Sequence, residues 1–301
     1  MHPAIITAGL THHYGKTAAV DGLTLSVPEG SIYAFLGPNG AGKTTTIKML
    51  LNILPPTAGA AKVIGTDTRQ LGPAEFTQIG YVSENQQLPE WMTVGQLIDF
   101  CRPMYPAWDT ALCEKLLRQF ELPLDRKLQN LSRGMKMKAA LLTSLAYRPR
   151  LLVLDEPFTG LDPLVRDEVI RGMLELTEQE KWTVFISSHD IDEVERLADW
   201  VGVINAGKIQ LSESVASLQT RFRRLECVVP VGARLPGSAP KSWLIPEITP
   251  HSAAAVESQY EPGTSEDRLR ESFPGATQVT VSEMTLREIF LALARTFRLK
   301  S

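Results

Sequence analysis

Residues 32–44 read Ile-Tyr-Ala-Phe-Leu-Gly-Pro-Asn-Gly-Ala-Gly-Lys-Thr, and this stretch decides the fold. Its first five residues are apolar, which is typical of a strand that is covered on both faces. The pattern Gly-x-x-x-x-Gly-Lys-Thr follows at 37–44, and we expect a helix from there to about Leu54. In this context the glycines let backbone N–H groups turn inward around phosphates, and Lys43 reaches the outer ones. The stretch therefore predicts a phosphate-binding loop.

Strands alternate with helices beyond this loop, and two of the strands end in polar residues. The apolar run 151–154 ends in Asp155 and Glu156, and the run 183–188 ends in His189. Alternation of this kind indicates an open α/β sheet whose site lies at the carboxyl ends of its strands. A carboxylate pair there can hold Mg²⁺ and polarise an attacking water, although such a run also occurs where a strand simply meets solvent.

The spacing of the apolar residues becomes helical between about Thr93 and Gln129, where Thr93 and Asp109 are predicted N-caps. A further helix is expected to open at 131–135 and to run through Tyr147. The charges at its start, which include Arg133, have two readings. One interpretation is that these charges form a solvated helix face. The other is that they aid contacts with anions.

Composition excludes several classes of protein. The chain has 301 residues, of which 44% are hydrophobic, and 31 basic against 34 acidic side chains give a net charge of −3. This is a globular composition without the excess of positive charge that nucleic-acid binding requires. Three cysteines without a C-x-x-C pair favour neither disulfides nor a zinc cage. We expect no secretory signal and no membrane-spanning segment.

The C-terminal part has a different composition. Seven prolines fall within residues 230–274, short strand-like pieces surround them, and a terminal helix is expected at 286–297. We therefore predict one domain at residues 1–217 and a small α+β domain at 218–301. The sequence leaves open whether the second domain regulates the first or only packs as a structural unit.

Several motifs occur together in a fixed order: the phosphate-binding loop, a loop at 79–86, Leu-Ser-Arg-Gly-Met at 131–135, Asp-Glu at 155–156 with Gly-Leu-Asp at 160–162, and His189. In this combination the chain resembles an ATP-binding cassette (ABC) ATPase over about residues 5–211. The resemblance implies an α/β P-loop NTPase core with an N-terminal antiparallel β subdomain and a helical subdomain at about 88–147. ATP and Mg²⁺ are the implied ligands.

The resemblance also implies three sets of site residues. Those that contact the nucleotide are Tyr14 (stacking on adenine), Gly37, Pro38, Asn39, Gly40, Ala41, Gly42, Lys43, Thr44, Thr45, Ser132, Gly134 and Asp162. The expected catalytic residues are Glu156 as the general base, with His189, Lys43 and Glu84. The expected Mg²⁺ ligands are Thr44, Asp155 and Glu84.

Partners are implied by the same resemblance. A second ABC ATPase subunit would close head-to-tail on the bound ATP, with Ser132 and Gly134 reaching the nucleotide of the opposing subunit and Asp162 communicating across the dimer. An integral membrane permease would receive the chain on the inner face of the cell membrane, with residues 88–94 as candidate contacts. The chain itself would then be cytoplasmic and peripheral, and no nucleic acid is expected.

Two departures from the usual family pattern occur in the sequence. Glu84 stands where a glutamine is usual. In the segment Leu-Ser-Arg-Gly-Met at 131–135, which is the signature motif of the family, Arg133 and Met135 replace a glycine and a glutamine. The pattern is similar to bacterial ABC-2-type exporters. Two alternatives stay open: a soluble ABC-type ATPase acting on ribosomes or DNA, and a regulatory ATP-binding module with low turnover.

Overall fold

The computed structural model describes residues 3–84, 86–180, 182–237 and 239–298. The chain forms two compact units, Met1–Ser212 and Glu213–Ser301. In the described ranges, no helix combines the length and apolar character needed to cross a lipid bilayer. The thiols of all three cysteines are free.

An antiparallel sheet begins the first unit. Its strands lie in the order β2-β1-β4-β5, and they are β1 (Pro3–Tyr14), β2 (Thr17–Pro28), β4 (Ala58–Val63) and β5 (Thr66–Asp67). Buried and exposed residues alternate along the second half of β2, as expected for a strand with one face on the core. This sheet is the predicted N-terminal antiparallel β subdomain.

The central sheet has the strand order β10-β9-β3-β8-β7-β6. These strands are β3 (Ile32–Leu36), β6 (Ile79–Ser83), β7 (Leu151–Asp155), β8 (Thr183–Ser188), β9 (Trp200–Asn205) and β10 (Lys208–Ser214). The neighbours from β9 to β6 pair in parallel, and β3, β7 and β8 are buried at every position. The carboxyl ends of β3, β6, β7 and β8 therefore meet at one edge. The predicted α/β fold class is confirmed.

Helices of the first unit are α1 (Lys43–Leu50), α2 (Pro73–Phe76), α3 (Val94–Cys101), α4 (Thr110–Gln119), α5 (Arg133–Leu145) and α6 (Pro163–Glu180). Both predicted N-caps are confirmed. The Thr93 hydroxyl accepts the N–H of Gln96 at 3.2 Å, and Asp109 Oδ1 accepts the N–H of Leu112 at 2.9 Å. Each cap satisfies a backbone donor that the helix leaves unpaired.

Three predicted boundaries were wrong. Helix α1 ends at Leu50 instead of about Leu54, because Asn52 takes a left-handed φ of 54° and the chain closes in a Schellman-type turn. Helix α5 stops at Leu145, before the predicted Tyr147. Residues 79–83 are strand β6 rather than part of a loop, and Asn85 lies outside the described residues.

The second unit has its own sheet and core. Its elements are α7 (Val215–Arg221), β11 (Arg223–Val228), β12 (Trp243–Ile248), β13 (Ser252–Glu257), α8 (Thr264–Ser272), β14 (Thr277–Glu283) and α9 (Leu286–Arg298). The antiparallel sheet runs β12-β13-β11-β14. Leu225 of β11, Leu269 of α8 and Phe273 are buried in one hydrophobic core, where Trp243 stacks on Phe273 with 6.2 Å between ring centroids.

Candidate functional site

The phosphate-binding loop leaves β3 and enters α1 through backbone conformations that require glycine. Gly40 and Gly42 have φ values of 79° and 106°, in the left-handed region that side chains disfavour. A Cβ on Gly42 would lie 2.4 Å from the carbonyl oxygen of Ala19. The loop can therefore turn its N–H groups toward the start of α1, where the helix dipole also favours an anion.

A cavity of about 350 Å³ opens at this loop. Of the residues predicted from the sequence, those that line it are Asn39, Gly40, Gly42, Lys43, Thr44, Thr45, Glu84, Glu156 and His189. They come from the loop and from the ends of β6, β7 and β8, elements that are far apart in sequence. The parallel sheet thus brings most of the predicted site to one place.

Glu156 is held between the side chains of Lys43 and His189. Lys43 Nζ lies 3.0 Å from Glu156 Oε1, and His189 Nδ1 donates to Glu156 Oε2 at 2.7 Å. Lys43 also donates to the carbonyl of Gly37 at 2.6 Å and to that of Pro38 at 3.1 Å. Its side chain is only 5% exposed, so the ammonium is desolvated and strongly engaged.

These contacts shift the pKa values of the pair in opposite directions. Burial alone would raise the pKa of Glu156, but hydrogen bonds from His189 and Lys43 outweigh it and lower the pKa below its ordinary value. The hydrogen bond to Glu156 raises the pKa of His189 above its ordinary value. Both shifts favour the charged forms.

The backbone at Glu156 is also unusual. Its φ is 52°, a left-handed value for a residue with a full side chain, and such conformations are costly unless their surroundings enforce them. Ser187 supplies part of that enforcement: its Oγ accepts the N–H of Glu156 at 3.0 Å and donates to Asp155 Oδ1 at 2.7 Å. Thr159 Oγ1 adds a hydrogen bond of 3.3 Å to Glu156 Oε2.

Oxygen donors suited to a hard cation lie beside this cluster. Thr44 Oγ1 donates to Asp155 Oδ1 at 3.2 Å, and both residues line a cavity of about 130 Å³ together with Glu84 and Glu156. Burial raises the pKa of Asp155, against the lowering effect of hydrogen bonds from Ser187 and Thr44. No cluster of three or more His, Cys, Asp or Glu residues suited to a metal occurs in the described part of the chain. Mg²⁺ commonly takes one or two carboxylates with substrate phosphates, and this donor set fits it.

Four predicted nucleotide contacts outside the phosphate-binding loop do not line the cavity. Tyr14 is 52% exposed, and its ring packs edge-on against His12 at 4.7 Å. Ser132 caps α5 by accepting the N–H of Met135 at 3.2 Å. Asp162 accepts the N–H groups of Leu164 and Val165, at 2.9 and 3.3 Å, at the start of α6.

Gly134 is the fourth of these residues, and it serves packing within the chain. A Cβ there would lie 2.6 Å from Cγ1 of Val165, so only glycine lets α5 and α6 approach this closely. The remaining three predicted loop residues are Gly37, Pro38 and Ala41, which shape the loop without lining the cavity. The N–H of Ala41 donates to the Pro38 carbonyl at 3.1 Å, and the Gly37 carbonyl accepts the Lys43 ammonium at 2.6 Å.

Sequence reasoning missed three polar side chains near the site. Ser187 and Thr159 position Asp155 and Glu156 as described above. Glu193 is 5% exposed and accepts a hydrogen bond from Ser188. The available signal was a serine pair at the end of an otherwise apolar strand, because a buried hydroxyl needs a polar partner.

Comparison with known proteins agrees with this geometry. A protein-family model described as ABC transporter matches residues 20–159. The bacitracin transport ATP-binding protein BcrA of Enterococcus faecalis is 32% identical over 226 residues, which are 74% of this chain and 73% of that protein. The chain belongs to the ABC transporter family. The resemblance inferred from the sequence motifs is therefore confirmed.

Further relatives of this ABC protein are also ATP-binding proteins. The daunorubicin/doxorubicin resistance ATP-binding protein DrrA of Streptomyces peucetius is 36% identical, over 73% of this chain and 70% of that protein. A solved ATP-binding subunit of an ABC transporter is 27% identical, with a TM-score of 0.64, over 72% of this chain and 92% of that one. An ABC transporter cassette in its ADP conformation is 26% identical, with a TM-score of 0.61, over 71% and 92%. This chain is therefore a nucleotide-binding cassette of the ABC transporter family.

Proposed function

We propose that the chain hydrolyses ATP with Mg²⁺ and couples this reaction to a separate membrane permease that exports its substrate. The observation that carries the proposal is the Lys43–Glu156–His189 cluster, which faces the cavity at the phosphate-binding loop. Two cations there can bind phosphate oxygens, and the carboxylate between them can accept a proton.

The chain's own residues divide the chemistry among them. The loop N–H groups and Lys43 would bind the outer phosphates of ATP, and His189 would donate to the γ-phosphate. Thr44, Asp155 and Glu84 would hold Mg²⁺, whose charge stabilises the negative charge on the phosphates. Because the phosphates compete with Glu156 for Lys43 and His189, nucleotide binding would release the Glu156 carboxylate. The carboxylate would then accept a proton from the water that attacks the γ-phosphate, and ADP would depart with the bridging oxygen.

A second copy, or a related subunit, would complete the site. Ser132, Gly134 and Asp162 do not line the cavity of their own chain, and residues with that placement can serve a facing subunit. ATP held between two subunits would then bind them together, and hydrolysis would release them. Tyr14, at the exposed end of β1, stays a predicted adenine contact.

Export and a permease are supported by the names of the relatives, which include bacitracin transport and drug resistance proteins. Within the segment 88–94, Trp91 is 67% exposed, an unusual exposure for a large apolar ring and a reasonable contact for a membrane partner. The chain would then lie in the cytoplasm, against the inner face of the cell membrane. The relatives do not favour the ribosome or DNA alternative.

The decisive variant is Glu156→Gln. We expect phosphate release to fall at least about 100-fold, while ATP still binds and dimers accumulate in light scattering. Glu114→Gln, an exposed carboxylate on α4, is the matched control and should keep the parent rate. Full ATPase activity in Glu156→Gln would exclude the role assigned to this carboxylate.

Copurification tests the permease separately. The tagged chain should be recovered from detergent-solubilised membranes of its native cell with a multi-span membrane protein in near-equal amount. Recovery only with ribosomal proteins or nucleic acid would favour the soluble alternative instead.

A further inference from the structure

Both departures from the usual family pattern meet in space, although they are 49 residues apart in sequence. Arg133 Nη2 donates to Glu84 Oε1 at 2.9 Å. The same guanidinium lies over Gly160, where a Cβ would be only 2.4 Å from Arg133 Nη1. Arg133 therefore joins the start of α5 to the end of β6 and to the loop that leads to Asp162.

Glu84 needs an opposite charge for a clear electrostatic reason. Its N–H bonds the carbonyl of Asp155 at 2.9 Å, and it lines the smaller cavity beside the Asp155 and Glu156 carboxylates. Carboxylates gathered at one place repel each other and any incoming phosphate. A glutamine at this position would add no such charge.

We propose that Arg133 is a positioning residue that orients the Glu84 side chain and offsets its charge, so that a carboxylate can stand at this edge of the phosphate site. The planar guanidinium suits this role, because one of its N–H groups holds Glu84 while the group as a whole lies against Gly160. The inference rests on the proposed ATP-binding function and extends it to the signature arginine.

A stability role alone does not account for the pair. The Arg133 and Glu84 side chains are 50% and 30% exposed, and an ion pair of this kind contributes little to the free energy of unfolding. The neighbouring lysines of α5 are also paired within the chain, Lys136 with Glu90 at 3.0 Å and Lys138 with Glu168 at 2.6 Å. Neither of these pairs lines the cavities at the phosphate-binding loop.

A double-mutant cycle on the full chain tests the proposal. The variants are Glu84→Gln, Arg133→Gln and the double variant, and the readout is the Kd for a non-hydrolysable ATP analogue with Mg²⁺, measured by calorimetry. We expect Arg133→Gln to weaken binding about 3- to 10-fold when residue 84 is glutamate, and less than about 2-fold when it is glutamine. Arg133→Lys should restore part of the affinity, because it returns the charge without the planar fork.

A matched ion pair supplies the control cycle. Arg150 and Glu29 lie 2.8 Å apart with side chains 53% and 46% exposed, and neither lines the cavities at the phosphate-binding loop. Replacing either by glutamine should leave the Kd for the analogue unchanged. The coupling between Arg133 and Glu84 should also shrink at high salt, since partly exposed charges are screened.

The outcomes separate the two proposals. Equal effects of Arg133→Gln in both backgrounds, with normal binding by the parent chain, would overturn the positioning role alone. Failure of the parent chain to bind the analogue, with Lys43→Ala indistinguishable from it, would overturn the proposed function and this inference together.

Discussion

The phosphate-loop side of the site and the signature side differ in how much a single chain completes. At the phosphate loop, Glu156 already contacts both Lys43 and His189, and all three side chains line one cavity. On the signature side, the side-chain oxygens of Ser132 and Asp162 accept backbone N–H groups at the starts of α5 and α6 in their own chain. One side is assembled by the parallel sheet. The other side is formed by local hydrogen bonds at helix ends, and under the proposed function a facing subunit would complete it.

The largest effect should come from the phosphate-loop side. Replacing Lys43 by alanine removes a buried, charge-assisted hydrogen-bond donor, so we expect ATP affinity to fall about 10- to 100-fold. Calorimetric titration measures it, with the exposed Lys62→Ala on β4 as the control. If both variants bound ATP equally well, the contrast between the two sides would be lost.

Gly134→Ala should have the next largest effect, on stability rather than affinity. The added methyl would lie 2.6 Å from Val165 Cγ1, and overpacking of this kind costs about 1–3 kcal/mol in the free energy of unfolding. Urea denaturation would measure the loss, and adding Val165→Ala should recover part of it. No loss of stability would mean that α5 and α6 separate easily at this point.

Ser132→Ala should remove the N-cap of α5 and cost about 1 kcal/mol of stability. The proposed dimer predicts a second effect: ATP-dependent association with Glu156→Gln as background should weaken as well. Thr93→Ala is the matched control, because it removes the cap of α3 (its bond to Gln96 is 3.2 Å) without touching the signature. Equal association in the two cap variants would contradict the role given to Ser132.

The smallest expected effect is a pH dependence of the His189–Glu156 pair. Because the pKa of His189 is raised, its contribution to the free energy of unfolding is fully present below its ordinary pKa of 6.5. This contribution is lost as the pH rises through the raised value. Because the pKa of Glu156 is lowered, its contribution to the free energy of unfolding is present above its ordinary pKa of 4.5. This contribution is lost as the pH falls through the lowered value.

Together these shifts place the strongest pairing between about pH 4.5 and 6.5. The difference in unfolding free energy between the parent chain and His189→Gln should therefore shrink as pH is raised from 6 toward 9. Denaturant titrations over that range provide the measurement. A difference that stays constant with pH would show that the contact with Glu156 does not raise the pKa of His189.

Much of the fold and the core of the site could be predicted because their signals are local. An unbroken apolar run, a glycine loop and a capping residue each act within a few positions of the chain, so the strands β3, β7 and β8 and the caps at Thr93 and Asp109 were predicted correctly. Helix α1 was predicted too long because a left-handed asparagine is a weak signal beside an apolar run: Asn52 is followed by Ile53 and Leu54.

What the sequence by itself determined was the family, the loop and the residues at the strand ends, since spacing along the chain carries that information. Only the tertiary structure decided which side chains meet. Ser187 reaches Asp155 and Glu156 from the neighbouring strand, and Arg133 reaches Glu84 across 49 residues. Contacts of this kind depend on strand order, register and side-chain direction, which only the packed sheet and helices specify.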